Sequence, residues 1–526
     1  MQETSHSSAR PSAVACLPCR SRHLKCDARM PVCTRCQTTG TECLYVRSKR
    51  GLRKHTRNEN QSLSGNACID WLDATALPPD LAIDADSLFQ PINPFLPDDT
   101  LAVSETVNPG VAYDPMIQLY YQNFHPSHPV VIPRKDLNSS LCYLIPPYLL
   151  SIMRYIGAHY YPDPPLKQTF RHAAYSSLSD PTLRDGFQVQ ALLLLAIVDH
   201  SHCHEQNAHR LIQTAVNLAL EIGLHHPSFA SEHSYGHSVL EESWRRTYWE
   251  LYVVDGLLSA MREQSPFRLY HHVAKVQLPC AEKMYNSASI LPTEQTLDDL
   301  QNNWTPGQDI SSFAHRINAV QNLGTVLALN RSLERSPESH IETIDAHITS
   351  SLMSLPPLHG DGYDSSTHDE MIFQAQMILY LALIYLHHPQ SNMRFASFHT
   401  HHPPSTSCTR LTNTPKETTL TTTHTLDLDL DLHSHKLIRA ADLLSSLATL
   451  PSTIRSRSPF FTCALGICII VHTAALLVVQ GSGREESLKA RIQLGIGALR
   501  ALGRIWPLSR VVRQQMVDMY LEVGRG

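Results

Sequence analysis

Outside the low-complexity stretch TLDLDLDL, no convincing run of alternating apolar and polar residues occurs in the body of this chain. Such alternation marks a half-buried strand, so its absence predicts a body that is nearly all helix. A P-loop, a nucleophile elbow and a dinucleotide fingerprint are also missing, which removes the commonest sequence signs of phosphoryl, acyl and hydride transfer. The opening residues, MQETSHSSARPSAVAC, are polar and small, with no charged stretch ahead of an apolar one. A secretory signal is therefore not expected, and the compartment is expected to be reducing. In that setting 13 cysteines, an odd number, argue for metal binding and buried thiols rather than a disulfide framework. Between positions 58 and 133 there is no Lys or Arg at all, while ten acidic residues accumulate.

What is present divides the chain sharply. At 526 residues it exceeds what one core usually organises, and 42 % hydrophobic residues suffice for a large one, so two or more units are expected. The net charge of −5 hides an asymmetry: residues 1–57 carry 12 Lys and Arg against 3 Asp and Glu, leaving 31 against 45 for the remainder. One end is built to meet a polyanion.

That end contains Cys16, Cys19, Cys26, Cys33, Cys36 and Cys43, spaced C-x2-C-x6-C, then six residues, then C-x2-C-x6-C. Zinc takes four thiolates in a tetrahedron. One zinc leaves two of these cysteines idle, whereas two zinc ions need eight positions from six sulfurs, which works if two thiolates bridge. The duplicated half-unit favours the symmetric arrangement, with a short helix begun by each C-x2-C pair and closed by the third cysteine. So small a core requires the metal to fold. A single zinc ribbon and a set of free thiols ignore the duplication, and an iron–sulfur cluster has different spacing.

The stretch ACLPCRSRHLKCDARMPVCTRC, with Arg20, Arg22, Lys25 and Asp27 in place and Pro31 between the halves, resembles the fungal binuclear zinc cluster transcription factors. The resemblance implies two bound zinc ions, Cys16 and Cys33 as the bridging ligands, and a first helix over about residues 17–25 whose carboxyl end enters the major groove to read CGG-type triplets of double-stranded DNA. Candidate DNA contacts are Arg20, Arg22, His23, Lys25 and Arg35, since long cations around the metal-bound turn can meet phosphates and base edges. One departure is His23, where the family usually has a base-contacting Lys. An imidazole is shorter and mostly neutral at pH 7, which shifts readout toward Arg22. Arg10 and Arg29 read as solvated surface charges. Beyond the cluster, VRSKRGLRKHTR supplies Arg47, Lys49, Arg50, Arg53 and Lys54, a phosphate-tracking arm, a nuclear import signal, or both.

The expected organisation is a cluster domain at residues 12–46, a basic arm at 47–57, an acidic disordered linker at 58–112 and a helical regulatory domain at 113–526. No apolar heptad follows the cysteines, so no coiled coil is visible and the oligomeric state stays open. In AHRLIQTAVNLALEIGLHH, the residues Ala208, Leu211, Ile212, Ala215, Val216, Ala219 and Ile222 follow the helical period, with Gly223 placed to end the helix in a left-handed cap. Further helices are expected over 189–200, 243–261, 370–386, 435–450 and 488–502. MIQLYYQNFHPSHPVV and ESWRRTYWELYVVDGLLSA, with Arg245, Arg246, Trp249 and Asp255, also resemble the helical regulatory domain of the same family. A low-complexity loop at about 397–434 interrupts that resemblance.

Two stretches point toward other classes of protein. Residues 460–479 carry no Asp, Glu, Lys or Arg over twenty positions, long enough to span a bilayer. With no second span of that kind in view, a buried core helix is the expectation and a membrane partner is not. The stretch DHSHCHEQNAH suggests a zinc enzyme, yet His204 and His209 are five apart and do not share the helix face that H-E-x-x-H requires. His200 and His204 share one but lack a general base in register. No enzyme is expected. The resemblance instead implies a nuclear regulator of RNA polymerase II genes that works with the transcription machinery, governing a secondary-metabolite gene cluster or, alternatively, carbon or nitrogen catabolism.

Overall fold

The computed structural model describes Cys19, Arg22 and residues 24–27 and 33–39 near the amino end. It also describes residues 110–523 apart from 179–183, 263–265, 273–274, 288–294, 303–309, 333–336, 358–368, 394, 396–405, 412–429, 451–452 and 480–482. The chain separates into two units, Met1–Leu96 and Pro97–Gly526. No strand occurs among the described residues. Residues 58–109 of the expected linker and most of the low-complexity loop lie outside them.

In the second unit the helices of nine residues or more are α1 (Pro115–Asn123), α2 (Pro147–Gly157), α3 (Pro164–Ser176), α4 (Gly186–Ser201), α5 (Glu205–Glu221), α6 (Ser238–Arg262) and α7 (Ser312–Arg331). They continue as α8 (Glu338–Met353), α9 (Glu370–His387), α10 (Leu432–Ser446), α11 (Phe461–Val478), α12 (Glu485–Leu502) and α13 (Pro507–Val523). Their starts are set by side-chain caps. Asp114, Asp185, Asp369 and Asp431 each accept from backbone N–H groups of the first turn that have no partner inside the helix. Pro115 and Pro164 stand at first helical positions, where the missing N–H does no harm. Gly223 ends α5 at φ +81°, and Leu224 N–H reaches back to the Ala219 carbonyl at 2.8 Å. That is the left-handed cap expected of this glycine.

Packing runs through neighbours in the chain and across it. α4 lies along α5, α7 along α9, α9 along α10 and α11 along α12, while the 25-residue α6 touches α4, α5 and α7. α1 and α2 meet at Gly157, where a Cβ would stand 1.9 Å from the Met116 carbonyl oxygen, so only glycine allows this approach. α4, α9 and α11 are buried on nearly every side, and each Leu or Ile so removed from water contributes about 1.5–3 kcal/mol.

Two helices, not one, have the length and apolarity of a membrane span among the described residues: Glu370–Gln390 and Phe461–Val478. In each, 89 % of the most apolar window is buried inside the unit, the place of a core helix. The first is interrupted in the sequence by Glu370, Gln374 and His387. All three are internally paired: Glu370 with Arg457 at 2.5 Å, Gln374 with the Ser127 carbonyl at 2.9 Å, and His387 with Asp345 at 3.3 Å.

A charged network crosses this core. The guanidinium of Arg316 on α7 donates to both carboxylate oxygens of Glu250 on α6, at 2.6 and 2.7 Å, with side chains 1 % and 0 % exposed. His128 donates from Nδ1 to Glu250 at 2.8 Å, and its Nε2 accepts from the Ser458 hydroxyl at 3.1 Å. Burial alone pushes the Glu250 carboxyl up, but Arg316 and His128 outweigh it, and the pKa falls to about 2. Burial lowers His128, keeping the imidazole neutral. Next to it the Arg457 guanidinium lies 3.5 Å from the centroid of the Phe373 ring.

Candidate metal centre and nucleic-acid interface

In the first unit the second half of the cysteine repeat forms the helix Thr34–Thr39, entered directly from Cys33. Gln37 N–H bonds the Cys33 carbonyl at 3.0 Å, and Cys36 N–H points at the Cys33 sulfur at 3.4 Å, a donor aimed at a thiolate. Cys19, Cys33 and Cys36 are 2 %, 0 % and 3 % exposed and form the small buried cluster, with Cys26 against it. The Cys19 and Cys33 sulfurs stand 3.8 Å apart. A disulfide is about 2.05 Å long, whereas two sulfurs each 2.3 Å from one tetrahedral zinc are separated by about 3.8 Å. The sulfurs of Cys19, Cys26 and Cys33 all lie within 4.8 Å of one another. The donor set and its spacing fit a zinc ion.

The halves are also tied without metal. Asp27 accepts from Thr34 N–H at 3.2 and 3.3 Å and from the Thr34 hydroxyl. Its carboxylate thereby caps the helix that carries Cys36, where negative charge is favoured.

Cys19 is helical, but Leu24 N–H bonds the Cys19 carbonyl at 2.8 Å and residues 24–27 have left the helix. The first helix therefore stops before Leu24 instead of running to Lys25. The reason is geometric: seven residues of continuous helix would carry Cys26 about 10.5 Å along the axis from Cys19, too far for the two sulfurs to serve one ion. Arg22, Lys25 and Arg35 are exposed around the sulfur cluster, free to approach a phosphate backbone. Cys16, Cys43, Arg20, His23, Arg47, Lys49, Arg50, Arg53 and Lys54 lie outside the described residues.

Residues 14–52 match the model of the fungal Zn(2)-Cys(6) binuclear cluster domain, and residues 117–399 match that of the fungal specific transcription factor domain. The chain belongs to the fungal binuclear zinc cluster transcription factors. It is 31 % identical over 560 residues to the C6 finger domain transcription factor iacK of Pestalotiopsis fici, covering 97 % of this chain and 80 % of that protein. No solved structure matches it. As a member of this family the factor binds two zinc ions through its amino-terminal domain and binds DNA. Both domain families imply a role other than catalysis.

In the regulatory unit of the zinc cluster factor, the residues picked out by resemblance hold architecture together. Arg246 on α6 bonds Glu242 at 3.0 Å, Glu282 at 2.5 Å and the Cys280 carbonyl at 3.1 Å, with the Tyr285 and Phe313 rings against its guanidinium. Arg245 pairs with Glu241 and Glu242. Trp249 donates to the Gln277 carbonyl at 2.9 Å. Burial raises Asp255 to about 6, while its carboxylate accepts from Leu269 N–H. The Glu250–Arg316 pair was not visible in the sequence, where each residue reads as an ordinary helix charge 66 positions from its partner.

His200 and His204 do not form a shared face. α4 ends at Ser201 and α5 begins at Glu205, with Cys203 at φ +63° between them. His200 is buried, stacked on Phe460 and 3.3 Å from the Cys463 sulfur, and burial lowers it to about 4. His204 is half-exposed and faces Asp199 at 3.2 Å. A cleft of about 710 Å³ opens beside the network, bordered by Tyr121, His125, Arg134, Glu282, Lys283 and Met371.

Proposed function

We propose that this zinc cluster factor is a nuclear, sequence-specific regulator of RNA polymerase II genes that reads CGG-type triplets and controls a secondary-metabolite gene cluster. The observation that carries the DNA reading is the sulfur cluster of Cys19, Cys26 and Cys33 with the cations Arg22, Lys25 and Arg35 exposed around it. In this reading Cys16, Cys19, Cys26, Cys33, Cys36 and Cys43 hold the two ions, with Cys16 and Cys33 bridging. Arg20, Arg22, His23 and Lys25 meet base edges and nearby phosphates, and Arg35 with Arg47, Lys49, Arg50, Arg53 and Lys54 tracks the backbone. The cluster domain, basic arm, acidic linker and helical body act in that order along the chain, the last coupling DNA occupancy to the transcription machinery.

The metabolite-cluster reading follows the family resemblance, in which single-purpose members with one DNA reader and one regulatory body often take that role. Selection from random DNA by the purified full-length protein tests the first part: enrichment of CGG-containing sites is expected, and a flat result rejects sequence specificity. Deleting the gene and profiling transcripts tests the second. Loss of expression confined to a contiguous block of genes is expected. Dispersed metabolic targets with growth defects on particular nutrients would instead indicate control of carbon or nitrogen catabolism.

A further inference from the structure

Where α8, α9 and α10 meet, two imidazoles face each other. His387, the last residue of α9, and His433, in the first turn of α10, place their Nδ1 atoms 3.0 Å apart. The opposite nitrogen of each ring is committed to a carboxylate on α8: His387 Nε2 lies 3.3 Å from Asp345 Oδ1, and His433 Nε2 lies 3.1 Å from Glu338 Oε1. An ionised carboxylate only accepts, so with the N–H of each ring on Nε2 the two Nδ1 lone pairs face each other. Two lone pairs in contact repel, and a cation between them removes the repulsion.

We propose that His387 and His433 bind a divalent transition-metal ion of the zinc class through their Nδ1 atoms, a third metal site separate from the cysteine cluster. With metal–nitrogen bonds of about 2.0–2.1 Å, a 3.0 Å separation corresponds to an angle of about 95° at the metal, between octahedral and tetrahedral values. His387 shows the outer arrangement of ligating histidines, its Nε2 hydrogen-bonded to Asp345, and Glu338 stands 3.1 Å from the corresponding nitrogen of His433. A proton shared between the two Nδ1 atoms leaves the same Nε2–H groups on the same carboxylates, so the metal count decides between proton and ion. His433 is 14 % exposed, so water can reach the ion, and a groove of about 640 Å³ bordered by Asp345 and Lys436 runs alongside. Lys436 holds Asp345 in place at 2.6 Å. Two protein ligands completed by water make an exchangeable site, unlike the closed four-ligand sites of structural zinc. Its occupancy ties α9 to α10 over α8, making the regulatory unit responsive to available zinc.

The test is a zinc count on the full-length protein equilibrated with buffered free zinc in the micromolar range, the cluster's two ions serving as internal reference. Three ions per chain are expected for the wild type and two for His387→Gln and His433→Gln. Glu338→Gln should keep the third site but weaken it by about 10–100-fold. Because Glu338 is 57 % exposed, this variant tests the proposal even if the buried His387 variant fails to fold, as circular dichroism would show. A wild type that stops at two ions, its imidazoles sharing a proton instead, overturns the proposal. So does a third ion that survives both histidine substitutions in folded protein.

Discussion

Replacing Arg316 by Met removes the cation that pays for a carboxylate deep in the core. Glu250 is 0 % exposed and keeps only His128 as partner once the guanidinium is gone. Its pKa in the intact core is about 2 against an ordinary 4.5, a difference worth about 3 kcal/mol of stability above pH 5. Removing one member of a buried pair typically costs about 3–5 kcal/mol, so the two routes agree. The sign with pH follows from the direction of the shift. In the wild type the carboxyl is depressed, and its contribution is present above 4.5 and lost as pH falls through 2. In Arg316→Met burial becomes the leading influence and lifts the carboxyl above its ordinary value. Such a group penalises the fold as pH rises through the folded pKa, so the deficit is largest at pH 8 and shrinks toward pH 5. Urea unfolding of the full-length protein, followed by circular dichroism at both pH values, measures this. Glu250→Gln added to Arg316→Met should recover most of the loss, because the amide still accepts from His128 without carrying charge. A deficit below about 1 kcal/mol, or one that grows on acidification, refutes the reasoning.

Cys33→Ser should abolish high-affinity DNA binding and release zinc from both positions, because the Cys33 sulfur sits with Cys19 and Cys26 and also receives Cys36 N–H; metal counting with gel-shift titration checks it, and retained binding after thorough chelation contradicts it. Lys54→Ala should weaken binding to all sequences alike and reduce the salt slope by about one unit, whereas Arg22→Ala should change base preference at a cost of about 1–3 kcal/mol. Binding isotherms at several salt concentrations on matched and mismatched sites separate the two. Gly157→Ala drives a Cβ against the Met116 carbonyl where α1 crosses α2, and a fall in stability of about 3 kcal/mol or more is expected in a urea titration, since backbone must move.

The amino-terminal chemistry was legible in the sequence because it is local. Six cysteines within 28 residues confine their own geometry, so spacing alone specifies a metal cluster, and the approach of the Cys19 and Cys33 sulfurs to 3.8 Å agrees with it. The first helix, which the family resemblance carried to about residue 25, ends before Leu24 because Cys26 must return toward Cys19. In the body, the apolar period located α5, an uncharged run of twenty residues located α11, and the positive-φ role of Gly223 followed from its place after α5. Each is a property of neighbouring residues. Tertiary structure alone decided which polar residues go inside. Glu250, Arg316, His128 and Ser458 come together across separations of 66, 122 and 330 positions, and each in isolation resembles a solvated side chain. His387 and His433 are joined in the same way, across the loop that interrupts the family resemblance. The physical reason is that burying a charge is favourable only when a partner from another helix arrives with it, and that pairing is set by how the helices pack.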